Sequence, residues 1–188
     1  MYRMSMLAIF APPSLTSRLD IARVTKMCLF HDVAEMLVGD ITPFDPVSKS
    51  EKHRRETTTI AFLSHQVLAN VPGIGPQEFE EIWNEFEDGD TEEAKFAQDL
   101  DKLELLLQAL EYERDFKGEK DLSGFFSVSE RISLPEVQTW AGTILSERKS
   151  MWATWGLTPK SDAAGLDAEE KRQLDKYYDT TKGDAEAK

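Results

Sequence analysis

The spacing of apolar residues between positions 91 and 110 constrains the fold of this chain more than any other feature. Alanine and leucine recur there at intervals of about three or four residues, at Ala94, Ala97, Leu100, Leu103, Leu107 and Leu110. This is the period of an α-helix that buries one face. Similar spacing recurs along the sequence, whereas the alternation of a half-buried β-strand is nowhere sustained. The sequence therefore predicts an all-α domain.

Proline, glycine and capping residues divide this domain into five or six predicted helices. Ser48 and Glu51 resemble a capping box that opens one of them, and Gly39 is a suitable C-terminal cap for another. In chain order, we predict helices at 2–10, at 17–38, at 48–69, around Phe79, Ile82, Trp83 and Phe86, after Asp90 or Thr91, and at 135–149. Residues 116–133 are predicted to be a loop region.

The charge of the chain restricts its partners. With 22 Lys and Arg against 35 Asp and Glu, the formal net charge is −13, which argues against duplex nucleic acid or an anionic membrane surface as the partner. Nine acidic residues between positions 77 and 93 occur without Lys or Arg, a pattern typical of a solvated acidic face. An anionic small-molecule substrate would need a local positive centre, such as a metal ion.

The length and cysteine content indicate one intracellular domain. A chain of 188 residues suits a single core, and no apolar stretch approaches the ~20 residues that cross a bilayer. Cys28 is the single cysteine, so an internal disulfide is excluded and a cytoplasmic location is expected, with the nucleus as an alternative. We assign residues 1–157 to the domain and expect the polar residues 158–188 to form a disordered, mobile tail.

The stretch "CLFHDVAEMLVGD", residues 28–40, breaks the apolar pattern of the second predicted helix. His31 and Asp32 interrupt an otherwise buried run, and Glu35 follows one helical turn later. Imidazole and carboxylate together suit Zn, Mn, Fe or Co. A single His-Asp pair also occurs by chance, with the histidine hydrogen-bonded in a core or exposed.

A second acidic residue, Asp101, lies at the border of the apolar stripe of the long helix. A partly buried carboxylate needs a cation or hydrogen-bond donors. A surface position or a salt bridge would explain Asp101 as well as a metal ion would. The residues themselves leave both interpretations open.

Three segments in this order, "HDVAEMLVGDITP", "EKHRRE" and "EAKFAQDLDKLELLLQALEYE", resemble the HD-domain 5′-deoxynucleotidase family, in its YfbR-like and HD domain-containing protein 2 branch. The resemblance extends from Met1 to about Glu147. It implies an all-α HD fold with one divalent metal ion. His31 and Asp32 match the family's metal-binding doublet, and Asp101 matches its distal metal ligand.

The resemblance also implies the chemistry. Glu35 matches the catalytic glutamate of the family, and Asp40 matches an acidic residue at the substrate and leaving-group side. Members remove phosphate from deoxynucleoside 5′-monophosphates and are commonly homodimers. The bound ion is expected to be Mn, Co, Zn, Fe or Mg. Two alternatives remain: an HD phosphohydrolase for another nucleotide, and a non-catalytic helical interaction protein.

The sequence departs from the family at its beginning. The family's first metal histidine, and the helix before it, precede the segment that matches "MYRMSM", so we expect an N-terminally shortened version of the domain. His53 and His65 are not evident substitutes, since both are expected at a helix surface. The basic residues of the third helix, Lys49, Lys52, Arg54 and Arg55, either meet an incoming phosphate or simply form an exposed helix N-terminus.

Overall fold

The computed structural model describes residues 1–160 and residue 172, and this part of the chain contains helices and no β-strand. Six of its α-helices have eight or more residues, and three are single turns. In order they are α1 Tyr2–Ile9, α2 Pro13–Thr16, α3 Ile21–Phe30, α4 Glu35–Val38, α5 Lys49–Phe62, α6 Pro76–Asp88, α7 Glu92–Asp115, α8 Ser123–Phe126 and α9 Pro135–Thr154. The all-α prediction is confirmed. Most of the predicted tail, at 161–171 and 173–188, lies outside the described residues.

Helix α7 forms the centre of the domain. It packs against α1, α3, α6 and α9, and its apolar stripe lies in the main core, where Ala94, Ala97 and Leu100 are completely buried. Burial of this kind contributes roughly 25 cal/mol for each Å² of apolar surface removed from water. In the described part of the chain, no helix combines the length and the apolar character needed to cross a membrane.

A smaller core cluster lies beneath the segment that carries His31. It consists of Ala34, Ile60, Leu63, Phe79 and Trp83, from the turn before α4, from α5 and the π-helical turn after it, and from α6. The indole Nε1 of Trp83 donates a hydrogen bond of 3.1 Å to the backbone oxygen of His31. This bond satisfies a buried carbonyl at a helix end and fixes the position of the segment.

The prediction of one helix over 17–38 is wrong. Helix α3 begins at Ile21, where the Asp20 side chain accepts a hydrogen bond from Arg23 N, and it ends at Phe30. His31 to Ala34 form a turn held by bonds of the i→i+3 type, such as Val33 N to Phe30 O. Only Glu35–Val38 returns to α-helix. His31 and Asp32 therefore lie in a tight turn between two helices, and Glu35 is the first residue of the second helix.

The predicted starts of α5 and α7 are confirmed, and one loop prediction is corrected. The hydroxyl groups of Ser48 and Thr91 accept hydrogen bonds from Glu51 N and Ala94 N. The Glu51 side chain binds arginines of its own helix instead of completing the capping box. The region 116–133 contains α8 and a 3₁₀ turn, Ser127–Arg131, instead of an uninterrupted loop.

The acidic stretch 77–93 was expected to be a solvated face, but several of its carboxylates form ion pairs. Basic side chains of the α2–α3 region meet it: Lys26 pairs with Glu78, Arg23 with Glu85 and Arg18 with Glu92. These contacts join α3 to α6, and the turn between α2 and α3 to the start of α7. The acidic stretch therefore has a structural use beside the segment that carries His31.

Candidate active site

His31 is the most buried of the predicted site residues. It is the C-cap residue of α3, and its side chain is 2% exposed. The Nδ1 atom donates a hydrogen bond of 3.2 Å to the backbone oxygen of Cys28. Because Nδ1 carries the proton in this contact, the neutral ring has its lone pair on Nε2.

The Nε2 atom of His31 faces two carboxylates. It lies 2.8 Å from Asp32 Oδ2 and 3.6 Å from Asp101 Oδ1. Neither contact has hydrogen-bond geometry, so this buried atom has no hydrogen-bond partner. A nitrogen lone pair and two carboxylates at such distances repel each other unless a positive charge lies near them.

The charges of this group shift two pKa values. Burial lowers the pKa of His31, but the attraction of Asp101 and Asp32 outweighs it and raises the pKa to about 9. Burial raises the pKa of Asp32, and the contact with His31 outweighs it, so the net shift is downward. Both shifts have the same cause: a proton on the His31 ring is favoured beside the two carboxylates.

The predicted residues outside the doublet have different surroundings. Asp101, on α7, is 53% exposed on its side chain but still reaches the His31 ring. Burial, with the charges of Asp32 and Asp40, raises the pKa of Glu35 to about 7. Asp40 follows Gly39, is exposed and does not line the cleft described below. The structure thus brings His31, Asp32 and Asp101 into contact, with Glu35 beside them.

A cleft of about 190 Å³ opens beside the doublet, and His31, Asp32 and Glu35 form part of its lining. The rest of the lining comes from two helices. Helix α5 contributes Lys49, Lys52, His53 and Glu56, and the end of α6 contributes Glu87 and Asp88.

The sequence analysis named Lys49 and Lys52 as residues that could meet a phosphate, but it did not find the contributions of His53, Glu56, Glu87 and Asp88 to this cleft. His53 is 56% exposed, as expected, but it also stacks on Trp83 and lies 3.9 Å from Glu87 Oε2. His65 is a surface residue paired with Glu80, as predicted. The helical spacing of Lys49, Lys52 and Glu56 was a usable signal, because it places them on nearly one face of α5.

The donor set fits a divalent cation in its chemistry. An imidazole with a fixed tautomer and two carboxylates are ligands for Zn, Mn, Fe or Co, and the Nε2 atom of His31, which makes no hydrogen bond, faces both carboxylates. Among the described residues, no group of three or more His, Cys, Asp or Glu side chains is arranged so that it could hold a metal ion as it stands. The three donors therefore form a partial site.

The buried Glu56 yields a prediction about stability. Burial raises its pKa, with a further rise from Asp32, while Lys52 and His53 lower it. An acid whose pKa is raised by folding reduces stability as the pH climbs above its unfolded value. We expect Glu56→Gln to raise the melting temperature by up to a few degrees at pH 8. The gain should shrink at pH 5.

Glu51 on the same helix is the control for this prediction. Its side chain is bonded to Arg54 and Arg55, which lower the pKa of Glu51 to about 2. The corresponding change, Glu51→Gln, should not raise the melting temperature at pH 8. Differential scanning fluorimetry at the two pH values measures both variants, and a gain for Glu56→Gln that is equal at both would contradict the explanation.

Comparisons with known proteins give the class of the chain. The family model described as "HD domain" matches residues 1–140. The structure is similar to that of HD domain-containing protein YGK1 (YGL101W), with a TM-score of 0.66 and 29% sequence identity over 81% of this chain and 76% of that one. The fold is therefore that of an HD-domain protein.

Curated relatives narrow the class. The chain is 41% identical to 5′-deoxynucleotidase hdd1 of Schizosaccharomyces pombe over 155 residues, which are 82% of this chain and 76% of the relative. It is 37% identical to 5′-deoxynucleotidase HDDC2 of Mus musculus over 162 residues, covering 86% and 78%. The chain belongs to this HDDC2-type family of HD-domain proteins.

Proposed function

We propose that this chain is a metal-dependent phosphohydrolase that removes the 5′-phosphate of deoxynucleoside 5′-monophosphates. The proposal rests above all on the buried Nε2 atom of His31, which faces Asp32 and Asp101 without a hydrogen bond. The relatives hdd1 and HDDC2, whose names state a 5′-deoxynucleotidase, support the substrate class. The cleft beside the doublet is where the substrate would bind.

We assign the binding of one divalent ion, Mn, Co, Zn, Fe or Mg, to His31, Asp32 and Asp101. When bound, such an ion supplies Lewis acidity and positive charge at the phosphate group. The bond from His31 Nδ1 to the Cys28 carbonyl holds the imidazole ring so that Nε2 points toward the carboxylates. Burial of the ring keeps this orientation free from competition by solvent.

We assign proton transfer to Glu35, and the substrate and leaving-group side to Asp40. A group acts best as an acid or base when its pKa is near the working pH, and burial together with Asp32 and Asp40 raises the pKa of Glu35 to about 7. Glu35 lies in the lining of the cleft. The charge of Asp40 contributes to the raised pKa of Glu35, which supports a position of Asp40 on the same side of the site.

The proposal predicts phosphate release by the purified chain from a deoxynucleoside 5′-monophosphate when Mn²⁺ or Co²⁺ is supplied. A chelator should abolish the release, and added ion should restore it. Asp101→Ala should reduce the release by roughly 100-fold or more, because loss of a ligand exceeds the 10- to 100-fold effects of outer partners. A colorimetric phosphate assay over deoxyribonucleotides and ribonucleotides measures both.

The exposed Asp115, at the end of the same helix α7, provides the matched control variant Asp115→Ala. Equal activity of the two variants would remove Asp101 from the metal site. Equal release from ribonucleotides would favour an HD phosphohydrolase for another nucleotide. A chain that neither binds a divalent ion nor releases phosphate would favour the interaction-protein hypothesis.

We further propose a cytoplasmic location, a homodimer, and a catalytic domain formed by residues 1–157. The single cysteine, Cys28, is buried, which is compatible with a reducing compartment. The apolar side chains of Tyr2 and Phe10 are 76% and 75% exposed and offer surface for a second copy. Light scattering after size-exclusion chromatography measures the oligomeric state.

A further inference from the structure

The basic residues at the start of α5 separate into two groups in the structure. Arg54 and Arg55 bind the carboxylate of Glu51 on their own helix and do not line the cleft. Lys49 and Lys52, one helical turn apart, do line the cleft, together with the doublet. Arg54 and Arg55 therefore fit the interpretation as an exposed helix N-terminus. Only Lys49 and Lys52 lie where they could meet an incoming phosphate.

Lys52 is held inside the cleft. Its side chain is 18% exposed, and its Nζ lies 3.6 Å from Glu56 Oε1. The same Nζ donates a hydrogen bond of 3.0 Å to the backbone oxygen of Ile41, the residue after Asp40. Lys52 therefore places a positive charge in the lining of the cleft, although most of its side chain is buried.

The charge of Lys52 also acts on the carboxyl groups around the cleft. Burial is the largest influence on the pKa values of Asp32, Glu35, Glu56 and Glu87, and the Lys52 charge opposes it at all four. Lys52 thus lies within electrostatic reach of Asp32 in the doublet and of Glu56 and Glu87 on the α5 and α6 side of the cleft. A phosphate dianion would meet mostly carboxylates in this cleft, so its position depends on the cations present.

We propose that Lys52 contacts the phosphate group of the substrate, with Lys49 assisting from its exposed position on the same face of α5. This inference rests on the proposed function for the identity of the substrate, and it adds the residue that selects a phosphate-bearing ligand. The phosphate then lies between the doublet and the first turn of α5. The bond to Ile41 fixes the lysine relative to the segment that carries Asp40.

The test is the binding of inorganic phosphate to the whole chain, measured by calorimetry in the presence of Mg²⁺. Lys52→Gln removes the charge but keeps a donor for the Ile41 carbonyl, so it separates phosphate contact from positioning of the loop. We expect Lys52→Gln to bind phosphate roughly 10-fold more weakly or worse, because charge-assisted hydrogen bonds are the strong ones. Lys52→Arg, which retains the charge, should recover part of the affinity.

The matched control is Arg54→Gln, which removes a positive charge two residues along the same helix. It should bind phosphate within about twofold of the wild type, because exposed charges outside the cleft are screened by salt. Melting temperatures of all variants establish that each one is folded. If Lys52→Gln is unstable, a loss of affinity in Lys49→Gln together with its retention in Arg54→Gln provides the same comparison.

Phosphate release from a deoxynucleoside monophosphate, measured on the same samples, separates this inference from the proposed function. Release by the wild type combined with unchanged phosphate affinity in Lys52→Gln overturns the role of Lys52 and leaves the function standing. Phosphate binding that depends on Lys52 without any release supports the role of Lys52 and overturns the function. A wild type that does not bind phosphate overturns the role of Lys52.

Discussion

Glu35→Gln is expected to lower kcat for phosphate release from a deoxynucleoside 5′-monophosphate by about 10²- to 10⁴-fold, the usual contribution of a general acid or base. The amide has almost the shape of the carboxylic acid but cannot exchange a proton. Burial, together with the charges of Asp32 and Asp40, raises the pKa of Glu35 to about 7, so the native side chain can hold or release a proton near neutral pH. Steady-state kinetics with saturating Mn²⁺ measures the loss.

The same variant should still bind the metal ion, because His31, Asp32 and Asp101 are the assigned ligands. Affinity for Mn²⁺, followed by electron paramagnetic resonance, should change by less than about tenfold. That is below the usual effect of losing a residue that hydrogen-bonds to a metal ligand. Glu81→Gln on α6 is the control, since Glu81 is exposed and does not line the cleft. A kcat close to that of the wild type would exclude Glu35 from proton transfer.

The sequence singled out His31, Asp32 and Asp101 as candidate site residues, but it did not predict the backbone that presents the first two. His31 and Asp32 stood out because polar residues interrupt an apolar run, and Asp101 stood out by its place on the long helix. The break at His31 has no proline or glycine to mark it. It depends on a distant residue, Trp83, whose indole bonds to the His31 carbonyl. A contact of that kind cannot be read from local helix periodicity.

The side of the cleft that α5 and α6 form could not be predicted for a related reason. Glu56 is buried although its neighbours in "EKHRRE" are among the most polar residues of the chain, and the polar stretch alone indicated an exposed helix surface. Which side of α5 faces the doublet depends on how α5 packs on α4 and α6. That packing involves the small core cluster, in which Ile60 and Leu63 meet Phe79 and Trp83 of α6, and a pairing between separate helices is not given by local periodicity.

The position of Asp101 depends on how α7 is anchored, and a buried ion pair provides part of that anchor. Glu113 on α7 and Arg148 on α9 are 0% and 4% exposed, with an Nε to Oε2 distance of 2.8 Å. Glu113 also accepts hydrogen bonds from Trp152 Nε1 and Leu122 N. Arg148 is the cationic partner among these contacts. Its removal would leave the buried carboxylate of Glu113 without its counter-ion.

Arg148→Met is therefore expected to lower the free energy of unfolding by about 3–5 kcal/mol, the usual cost of breaking a buried pair by removal of one partner. Urea denaturation, followed by circular dichroism, measures the change. Arg114→Met is the matched control, because the Arg114 pair with Glu147 is about half exposed on both sides and such a pair contributes about 0–1 kcal/mol. Equal losses in the two variants would show that the buried network does not anchor α7. A loss confined to Arg148→Met would show that the buried network stabilises the packing of α7.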